Sequence, residues 1–470
     1  MKIIRLAGIN LVVSILLSGC LLSPPREVAA PQVPLPELFE ASSGDAEVNR
    51  AWWQDFQDPR LNAVVQETLG ANFDIAIARS RLQASEAFTR QAGGPRWPSI
   101  TTDLGVSNSS SLNPFTGELT DTTRYTGGLQ ASYELDIWGK WDAAQMAAER
   151  DEEAARATLR ATEISLIAEV VSTYYALVVA QRRVALVSEQ LEATTTFRDL
   201  VEARYSQGLT KAFDVYQLRQ QEAQIRSTLE SARLGQKSLS RRLSLLQGKV
   251  PSSEADVTSG VPDILPALPE SGVPARVILN RPDILAATWR LAAGDARVAQ
   301  ALASRFPSLR LSAGLNLSAT AIGDLFNDIF HSLVGSVTQP LFQGGALAAA
   351  QDASAARRLE LEVTLQKVAT QAVLEIDNAL DDDASNFEQT THINEQLKLA
   401  RASYEDARER YLNGLSDFLS VLTSLRSSQQ VELQSLTQRE SQIQSRIKVY
   451  RVLGGYSPLQ DTQPSPQIAK

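Results

Sequence analysis

The stretch RYSQGLTKAFDV at Arg204–Val215 returns 206 residues later as RYLNGLSDFLSV at Arg410–Val421. Both copies keep the pattern Arg-Tyr-x-x-Gly-Leu, and both lie between segments rich in helix-forming residues. Glycine readily adopts the left-handed conformation in which many helices end. The two copies therefore predict two helical hairpins, each with its turn at the glycine.

The repeat extends far beyond these two turns. Two stretches, 140–207 and 346–413, have equal length and contain neither glycine nor proline. Further upstream the offset becomes 209, where Arg96-Trp97-Pro98-Ser99 matches Arg305-Phe306-Pro307-Ser308. The glycines that align at the offset of 206 are Gly139 with Gly345, Gly208 with Gly414 and Gly248 with Gly454. A register held over such a length indicates an internal duplication.

Each repeat alternates between helical and strand-like sequence. Apolar residues in 140–207 recur at spacings of three, four and seven, as in a supercoiled helix, and a continuous helix here would be about 100 Å long. The first repeat, 59–250, is predicted to contain helices 60–92, 140–207 and 213–247 and strands 98–108 and 122–137. The second repeat, 279–455, is predicted to contain helices 280–303, 346–413 and 416–453 and strands 307–318 and 329–341. The fold class is thus mostly α with a small β part, built from a duplicated helix-strand-strand-long helix-helix unit.

The strand-like segments have one apolar and one polar face. After Pro307, leucines at 309, 311, 315 and 317 alternate with polar residues, and Tyr125–Ile137 alternates in the same way. Each repeat supplies two strands of about ten residues, which suits the wall of a transmembrane β-barrel. A soluble hairpin that covers a core fits these strands equally well when they are taken alone.

The N-terminal sequence MKIIRLAGINLVVSILLSGC has the plan of a secretory signal peptide. Lys2 and Arg5 precede an apolar stretch, and small residues precede Cys20, the only cysteine of the chain. We predict a signal peptide at 1–19 and a lipid-modified Cys20 that opens an extended segment, 20–58. An ordinary signal peptide with a chance cysteine is the alternative. A linker at 251–278 and a tail at 456–470 complete the expected organisation.

Composition excludes several classes of protein. A net charge of −9 argues against nucleic-acid binding, and two histidines without ligand-spaced partners argue against a metal site. No cofactor is expected apart from the lipid on Cys20. The acidic run at 381–383 is expected to be a solvated helix face. No segment after the leader is expected to cross a membrane as a helix.

Four strands per chain are too few to close a barrel. An open sheet edge in hydrocarbon would leave backbone groups unpaired, and barrels need roughly eight strands or more. The strand count therefore requires several chains, and two chains with eight strands or three with twelve both satisfy it.

The segments Trp52-Trp53-x-x-Phe56-x-Asp58-Pro59 and Asn72-Phe73-Asp74-Ile75 resemble the start of TolC-type outer-membrane factors. Arg281-Pro282-Asp283-Ile284 resembles the second-half signature of their lipoprotein branch, the NodT-like subunits of resistance-nodulation-division (RND) efflux pumps. The resemblance covers about Cys20 to Gly455. It implies a homotrimer with a twelve-stranded β-barrel in the outer membrane and a twelve-helix periplasmic tunnel. The implied partners are outer-membrane lipid, a periplasmic membrane-fusion adaptor and an inner-membrane RND pump.

The same resemblance assigns roles to residues near the two turns. Asp214 and Tyr411 match positions that bond to each other and latch the periplasmic mouth; an exposed carboxylate and a packed tyrosine are the alternative. Ser420 and Thr423 stand where some members carry a ring of aspartates, and Asp417 offers a substitute ring if it faces the lumen. The turns themselves, Gly208-Leu209 and Gly414-Leu415, resemble docking sites for the adaptor.

The predicted function is that of a passive exit channel for small toxic compounds, without catalytic activity. Type I protein secretion and a periplasm-spanning structural lipoprotein without a pore are the alternatives. A strut without a pore would not require the alternating strands.

Overall fold

The computed structural model describes residues 51–112, 114–115, 117–253, 260–262, 264–268 and 278–453. The expected signal peptide, Cys20 and the tail at 456–470 lie outside these residues. So do most of the extended segment 20–58 and part of the linker 251–278.

The fold is mostly helical with one small sheet, as the sequence predicts. The helices are α1 (Pro59–Ala71), α2 (Phe73–Gly93), α3 (Lys140–Ser206), α4 (Ala212–Leu246), α5 (Pro282–Ala303), α6 (Ala346–Leu412) and α7 (Phe418–Val452). The strands are β1 (Ser99–Leu112), β2 (Leu119–Leu135), β3 (Ser308–Ala319) and β4 (Ile329–Thr338). Three short 3₁₀ turns, Trp52–Phe56, Gly94–Arg96 and Ile322–Asp324, accompany them.

The helix predicted at 60–92 is wrong as a single element, because the chain breaks at Asn72 into α1 and α2. The Asn72 side-chain oxygen accepts hydrogen bonds from the N–H groups of Asp74 at 2.8 Å and Ile75 at 3.2 Å. Its amide nitrogen donates to the carbonyl oxygen of Leu246 at 2.8 Å. Asparagine is a strong N-cap, so this residue starts a new helix despite the helix-forming sequence on both sides.

The strand ends also differ from the predicted ones, and β1 and the start of β2 extend further into the polar loop between them. β2 ends at Leu135 instead of 137 because Asp136 turns away to cap α3. The Asp136 carboxylate accepts from the N–H groups of Trp141 at 3.0 Å and Asp142 at 2.8 Å. β4 stops at Thr338 instead of 341, just before Pro340, which has no N–H to donate to a ladder. The other helices and β3 lie within two residues of their predicted bounds.

The four strands form one antiparallel meander in the order β1-β2-β3-β4. The register places Val106, Tyr125 and Ile329 on the same face as Leu309 and Val337, since alternate side chains share a face. This face carries an apolar band, and the opposite face carries mainly Ser, Thr, Asn and Gln. In the described part of the chain, no strand pairs with the outer edge of β1 or β4.

Chain contacts divide the protein into two compact units. The first consists, among the described residues, of Arg81–Arg156 and Leu285–Lys367, and it contains the sheet. The second consists of Ala157–Ile284 together with the described residues of Val33–Ser80 and Val368–Lys470. The helices α3 and α6 contribute to both units.

The main core of the second unit gathers around Trp52 and Trp53, which are both fully buried. Trp52 stacks on Tyr450 of α7 with ring centroids 5.2 Å apart. Asp58 caps α1 and also accepts a hydrogen bond from the hydroxyl of Tyr174 at 3.0 Å. Truncating a buried indole typically costs about 3–5 kcal/mol, so this cluster is a large local source of stability.

The expectation that no later segment is apolar enough to cross a membrane as a helix is wrong for composition, because α3 contains such a window. That window is 78% buried inside the protein. Its apolar residues include Val170, Val171 and Leu177, which belong to the core cluster around Trp52. Burial against the rest of the chain therefore explains the composition of this stretch of α3.

The expectation of a solvated face at 381–383 is wrong for Asp383, which is buried. Its carboxylate accepts two hydrogen bonds from the guanidinium of Arg446, at 3.0 and 2.9 Å. Arg446 also donates to the carbonyl oxygen of Pro266 in the linker. Two further side chains of α7 hold the linker, since Arg439 donates to Pro262 and the Tyr450 hydroxyl donates to Ala267. The linker is thus fastened to α7 by side-chain donors.

The two turns quoted at the outset have the same geometry. Gly208 and Gly414 both have φ of +74°, in the left-handed region. At the first turn the N–H of Leu209 donates to the Arg204 carbonyl at 2.9 Å, and the N–H of Gly208 donates to Tyr205 at 2.9 Å. Leu415 and Gly414 make the equivalent pair at the second turn. This Schellman motif satisfies carbonyl groups at the ends of α3 and α6.

We predict opposite effects for two glycine-to-alanine substitutions. Gly208→Ala should lower the free energy of unfolding by about 1 kcal/mol, because a side chain in the left-handed region is strained. Gly235→Ala in α4 should raise it by about 0.5–1 kcal/mol, because alanine favours the helix and its Cβ would meet no atom within 4 Å. Denaturant unfolding in detergent measures the free energy of unfolding of both variants. Changes of the same sign would contradict a left-handed Gly208 and a helical Gly235.

Breaking the buried ion pair should be costly. Asp383→Asn leaves the partly buried Arg446 without its charge partner, and we expect a loss of about 3 kcal/mol in the free energy of unfolding. Asp381→Asn, at an exposed position two residues away, is the matched control and should have little effect. Equal unfolding curves for the two variants would contradict a structural role for Asp383.

Candidate functional site

The ends of α3, α4, α6 and α7 pack around a group of aromatic rings, which we call the tip cluster. The ring of Phe197 lies 6.2 Å from that of Tyr411 and 6.3 Å from that of Phe418. The rings of Tyr411 and Phe418 are 6.0 Å apart and meet edge to face. The other buried members of the tip cluster are Val201, Val215, Leu218, Val421, Leu422 and Leu425.

The leucines of the two turns lie outside this cluster. Leu209 is 62% exposed and Leu415 is 77% exposed. Two more exposed apolar residues, Phe213 and Leu419, begin α4 and α7 and occupy equivalent positions in the repeat. The sequence analysis did not select this second pair, although the offset of 206 aligns it. Both turns therefore present an exposed apolar surface.

The predicted gate residues Asp214 and Asp417 both cap helices. Asp214 accepts hydrogen bonds from the Thr210 hydroxyl at 2.6 Å and from the Lys211 N–H at 3.3 Å, at the start of α4. Asp417 accepts from the N–H of Ser420 at 2.8 Å and from its hydroxyl at 2.7 Å, at the start of α7. These hydrogen bonds hold the pKa of the Asp417 carboxyl below its usual value. A carboxylate also interacts favourably with the partial positive charge of a helix N-terminus.

The repeat places the two carboxylates at different positions of the same cap. Asp417 is the N-cap of α7, and its equivalent in the first repeat is Lys211. Asp214 is the third residue of α4, and its equivalent in the second repeat is Ser420. Each of the two helix starts thus carries one carboxylate. It lies at the third helical position in α4 and at the N-cap position in α7.

The structure does not join Asp214 to Tyr411 by a hydrogen bond. The hydrogen bonds of Asp214 go to Thr210 and Lys211, as described above. The Tyr411 hydroxyl is buried and has no hydrogen-bond partner in the described part of the chain. The guanidinium of Arg204 lies 4.9 Å from the centre of the Tyr411 ring. The Tyr411 hydroxyl therefore retains an unused donor and an unused acceptor. Leaving a buried hydroxyl unpaired costs about 1–3 kcal/mol. The latch stays a prediction.

Ser420 and Thr423 are both exposed on α7. The Ser420 side chain donates to Asp417, so it forms part of the cap of α7. Their role in a constriction stays a prediction.

A buried polar layer, which the sequence analysis missed, lies behind the tip cluster. The Gln429 amide nitrogen donates to the Thr194 hydroxyl at 3.0 Å, and its oxygen accepts from Gln221 at 3.1 Å. Gln190 donates to the Gln429 carbonyl at 3.1 Å. The polar layer thus connects α3 and α4 to α7. Its sequence signal was available, because Gln190 and Thr194 follow apolar Val187 and Leu191 by three residues and so share their helix face.

Arg281, from the signature Arg-Pro-Asp-Ile, joins three elements. It donates to Asp283 at 3.1 and 2.8 Å, to Glu375 of α6 at 3.0 Å and to the carbonyl of Val452 at the end of α7 at 3.0 Å. Burial alone would lower the pKa of Arg281, but the hydrogen bonds and charges of Asp283 and Glu375 raise it above its usual value. The signature therefore holds α5, α6 and α7 together.

The sheet exposes a large apolar surface. Leu104 of β1 and Leu333 of β4 are each 82% exposed on the apolar face. Soluble monomers rarely expose a contiguous apolar patch of this kind. Tyr125 and Tyr133 lie on the same face, eight residues apart along β2. In the residues that the structure describes, neither outer edge of this sheet pairs with another strand.

Comparisons with known proteins agree with this geometry. The family model for "Outer membrane efflux protein" matches residues 64–249 and again residues 273–455, once in each repeat. The pyoverdine export outer membrane protein OpmQ of Pseudomonas putida is 27% identical over 427 residues, which cover 88% of this chain and 90% of that protein. The cation efflux system protein CusC of Escherichia coli is 26% identical and covers 94% and 97% of the two chains.

Among solved structures, the outer-membrane channel OprN superposes with a TM-score of 0.82 at 27% identity, covering 91% of this chain and 99% of that one. The two matches of the family model span most of the sequence, and they include both helical turns and all four strands. This chain belongs to the outer membrane efflux protein family.

Proposed function

We propose that three copies of this chain form the outer-membrane exit channel of a tripartite efflux pump. The observation that carries the proposal is the four-stranded sheet, with an apolar band on one face and no partner strand at either edge in the described residues. Three copies supply twelve strands, which is enough to close a barrel around a polar lumen. Two copies supply eight, a number at which side chains alone nearly fill the interior.

The proposed channel is passive. Its polar sheet face would line a water-filled lumen through which small toxic compounds diffuse outward. The energy for export would come from an inner-membrane RND pump, joined through a periplasmic membrane-fusion adaptor. The exposed residues Leu209 and Leu415 at the two turns suit an adaptor, since apolar side chains on a rigid turn can enter a groove between helices. Cys20 would carry the lipid that anchors the chain in the outer membrane.

The proposed class of cargo is broad, because the relatives of this chain export different solutes. OpmQ is described as exporting pyoverdine, and CusC as a cation efflux protein. The proposal for this chain is therefore an exit route shared by small solutes, with the choice of solute made by the pump.

Planar-bilayer recording tests the pore. Purified protein in mild detergent should run as a trimer and should conduct ions after insertion into a bilayer. A non-conducting protein would support the periplasmic strut instead. Release of an unfolded polypeptide but not of small compounds by the reconstituted system would favour type I protein secretion.

We further propose that the unpaired Tyr411 hydroxyl engages Asp214 in the closed state of the mouth. Tyr411→Phe removes the hydroxyl but keeps the ring packed against Phe197 and Phe418. We therefore expect a several-fold rise in resting conductance. Tyr205→Phe, at the equivalent position of the first repeat, is the matched control and should conduct like the parent. A Tyr411→Phe channel no leakier than this control would remove the latch.

A further inference from the structure

The two strand hairpins of the sheet, β1–β2 and β3–β4, share one register. Ser99 lies opposite Ser132 in the first hairpin, and Ser308 lies opposite Thr338 in the second. These pairs occupy equivalent positions, because β3 follows β1 at the offset of 209 and β4 follows β2 at the offset of 206. The Ser99 hydroxyl donates to the Ser132 carbonyl at 3.2 Å. The Ser308 hydroxyl donates to the Thr338 carbonyl in the same way, at 3.4 Å. The internal repeat therefore extends to individual strand pairs.

The contact between each hairpin and its following helix is also repeated. Just before β1, the guanidinium of Arg96 donates to the side-chain oxygen of Gln145 in α3 at 2.8 Å. Just before β3, the guanidinium of Arg305 donates to the side-chain oxygen of Gln351 in α6 at 2.6 Å. The same two offsets relate the residues of these hydrogen bonds. A hairpin and the start of the helix after it thus form one structural unit that the chain uses twice.

The pairing of β2 with β3 joins these two units. Ala131 lies opposite Ala313 in this joint. A second joint of the same kind would bring together β4, the equivalent of β2, and β1, the equivalent of β3. These two strands are the outer edges of the sheet, and in the described residues neither pairs with a further strand. Two strands separate them within one chain, so only a second copy can supply this joint.

We propose that β4 of one copy pairs with β1 of a second copy, in the register that β2 and β3 use within the chain. Val337 stands at the position of Ala131, and Leu104 stands at the position of Ala313. Val337 therefore lies opposite Leu104 of the partner subunit. Both residues belong to the apolar face, so the apolar band continues across the interface. This pairing rests on the proposed function and adds to it the residues that meet between copies.

The proposed register gives His331 a polar neighbour. This residue lies on the apolar face of β4, opposite Leu315 of β3. Ionisable side chains in membrane-spanning segments usually pair with other polar groups. In the proposed register the residue opposite His331 is Ser110 of the partner subunit. Within one chain the Ser110 hydroxyl donates a hydrogen bond to Asp121 of β2. Polar positions on the apolar faces of the two copies thus meet at one end of the interface.

Exposed aromatic residues flank the two edge strands at the other end. Trp97, before β1, is 76% exposed, and Phe342, after β4, is 90% exposed. The equivalent of Trp97 is Phe306, which stacks on Trp138 from the segment after β2 with ring centroids 5.0 Å apart. Pairing of β4 with β1 of a second copy would place the segment that contains Phe342 beside Trp97 in the same way. The interface would thus cover apolar side chains that one chain leaves exposed.

Disulfide formation tests the register, because Cys20 is the only native cysteine. Opposite residues in an antiparallel pair alternate between Cα separations of about 5.5 and 4.5 Å. Two test variants sample both separations: Val337→Cys with Leu104→Cys, and Val334→Cys with Ser107→Cys. The matched controls keep the β4 substitution and shift the β1 substitution by four residues, to Asn108→Cys and Ser111→Cys respectively. The shift keeps the sheet face but adds about 13 Å along the strand, which exceeds the reach of a disulfide.

Mild oxidation in the outer membrane should link copies of the test variants covalently, at a yield at least about tenfold above the controls, because only opposite residues meet the geometry of a disulfide. The parent with Cys20 alone gives the background. Links in the controls instead of the test variants would overturn the register and leave the assembly intact. Absence of links in all four variants would also overturn the register. Bilayer recording of the parent then shows whether the proposed channel fails as well.

Discussion

Backbone N–H and C=O groups at a strand edge cannot be left unpaired in hydrocarbon, where each costs several kcal/mol. This constraint governs the whole protein, because the chain owns a sheet of four strands with an apolar face and two open edges. Among the residues that the structure describes, the strands follow one another as a simple meander, and no other strand covers the outer edge of β1 or β4. In the proposed assembly, neighbouring copies would supply the partners of these two edges.

Each copy of the duplicated unit supplies two of the four strands, and the two copies differ in detail. Both turns keep the left-handed glycine and the Schellman hydrogen bonds, which a helical hairpin of this kind requires. The caps that follow differ, since α4 uses a carboxylate in its first turn and α7 uses one at its N-cap. The tyrosine of the motif is exposed as Tyr205 in the first copy and buried as Tyr411 in the second. The two hairpins therefore share the geometry of the turn but differ in the residues that cap the following helix and in the burial of the tyrosine. These differences would allow the two hairpins to play different roles in opening the channel.

Periodicity and glycine placement predicted the element types well, because they depend on local backbone preference and on burial of one face. The helix break at Asn72 was not predicted, because it depends on a single side chain. That side chain makes three hydrogen bonds, one of them to distant Leu246, and these outweigh the surrounding helix propensity. The burial of Asp383 was not predicted for a related reason, since only the fold brings Arg446 next to it. The candidate gate residues were chosen by resemblance to a family, but the hydrogen-bond partners of Asp214 and Asp417 in the folded chain are set by cap geometry.

Disulfide trapping between the two sheet edges tests the central claim most directly. β1 and β4 are separated by two intervening strands, so within one sheet they lie about 14 Å apart, far beyond the reach of a disulfide. A scan of cysteine pairs, one on β1 near Leu104 and one on β4 near Leu333, should yield covalent trimers on oxidation in the outer membrane, because β4 of one copy meets β1 of the next. Only monomers across the entire scan would contradict the account.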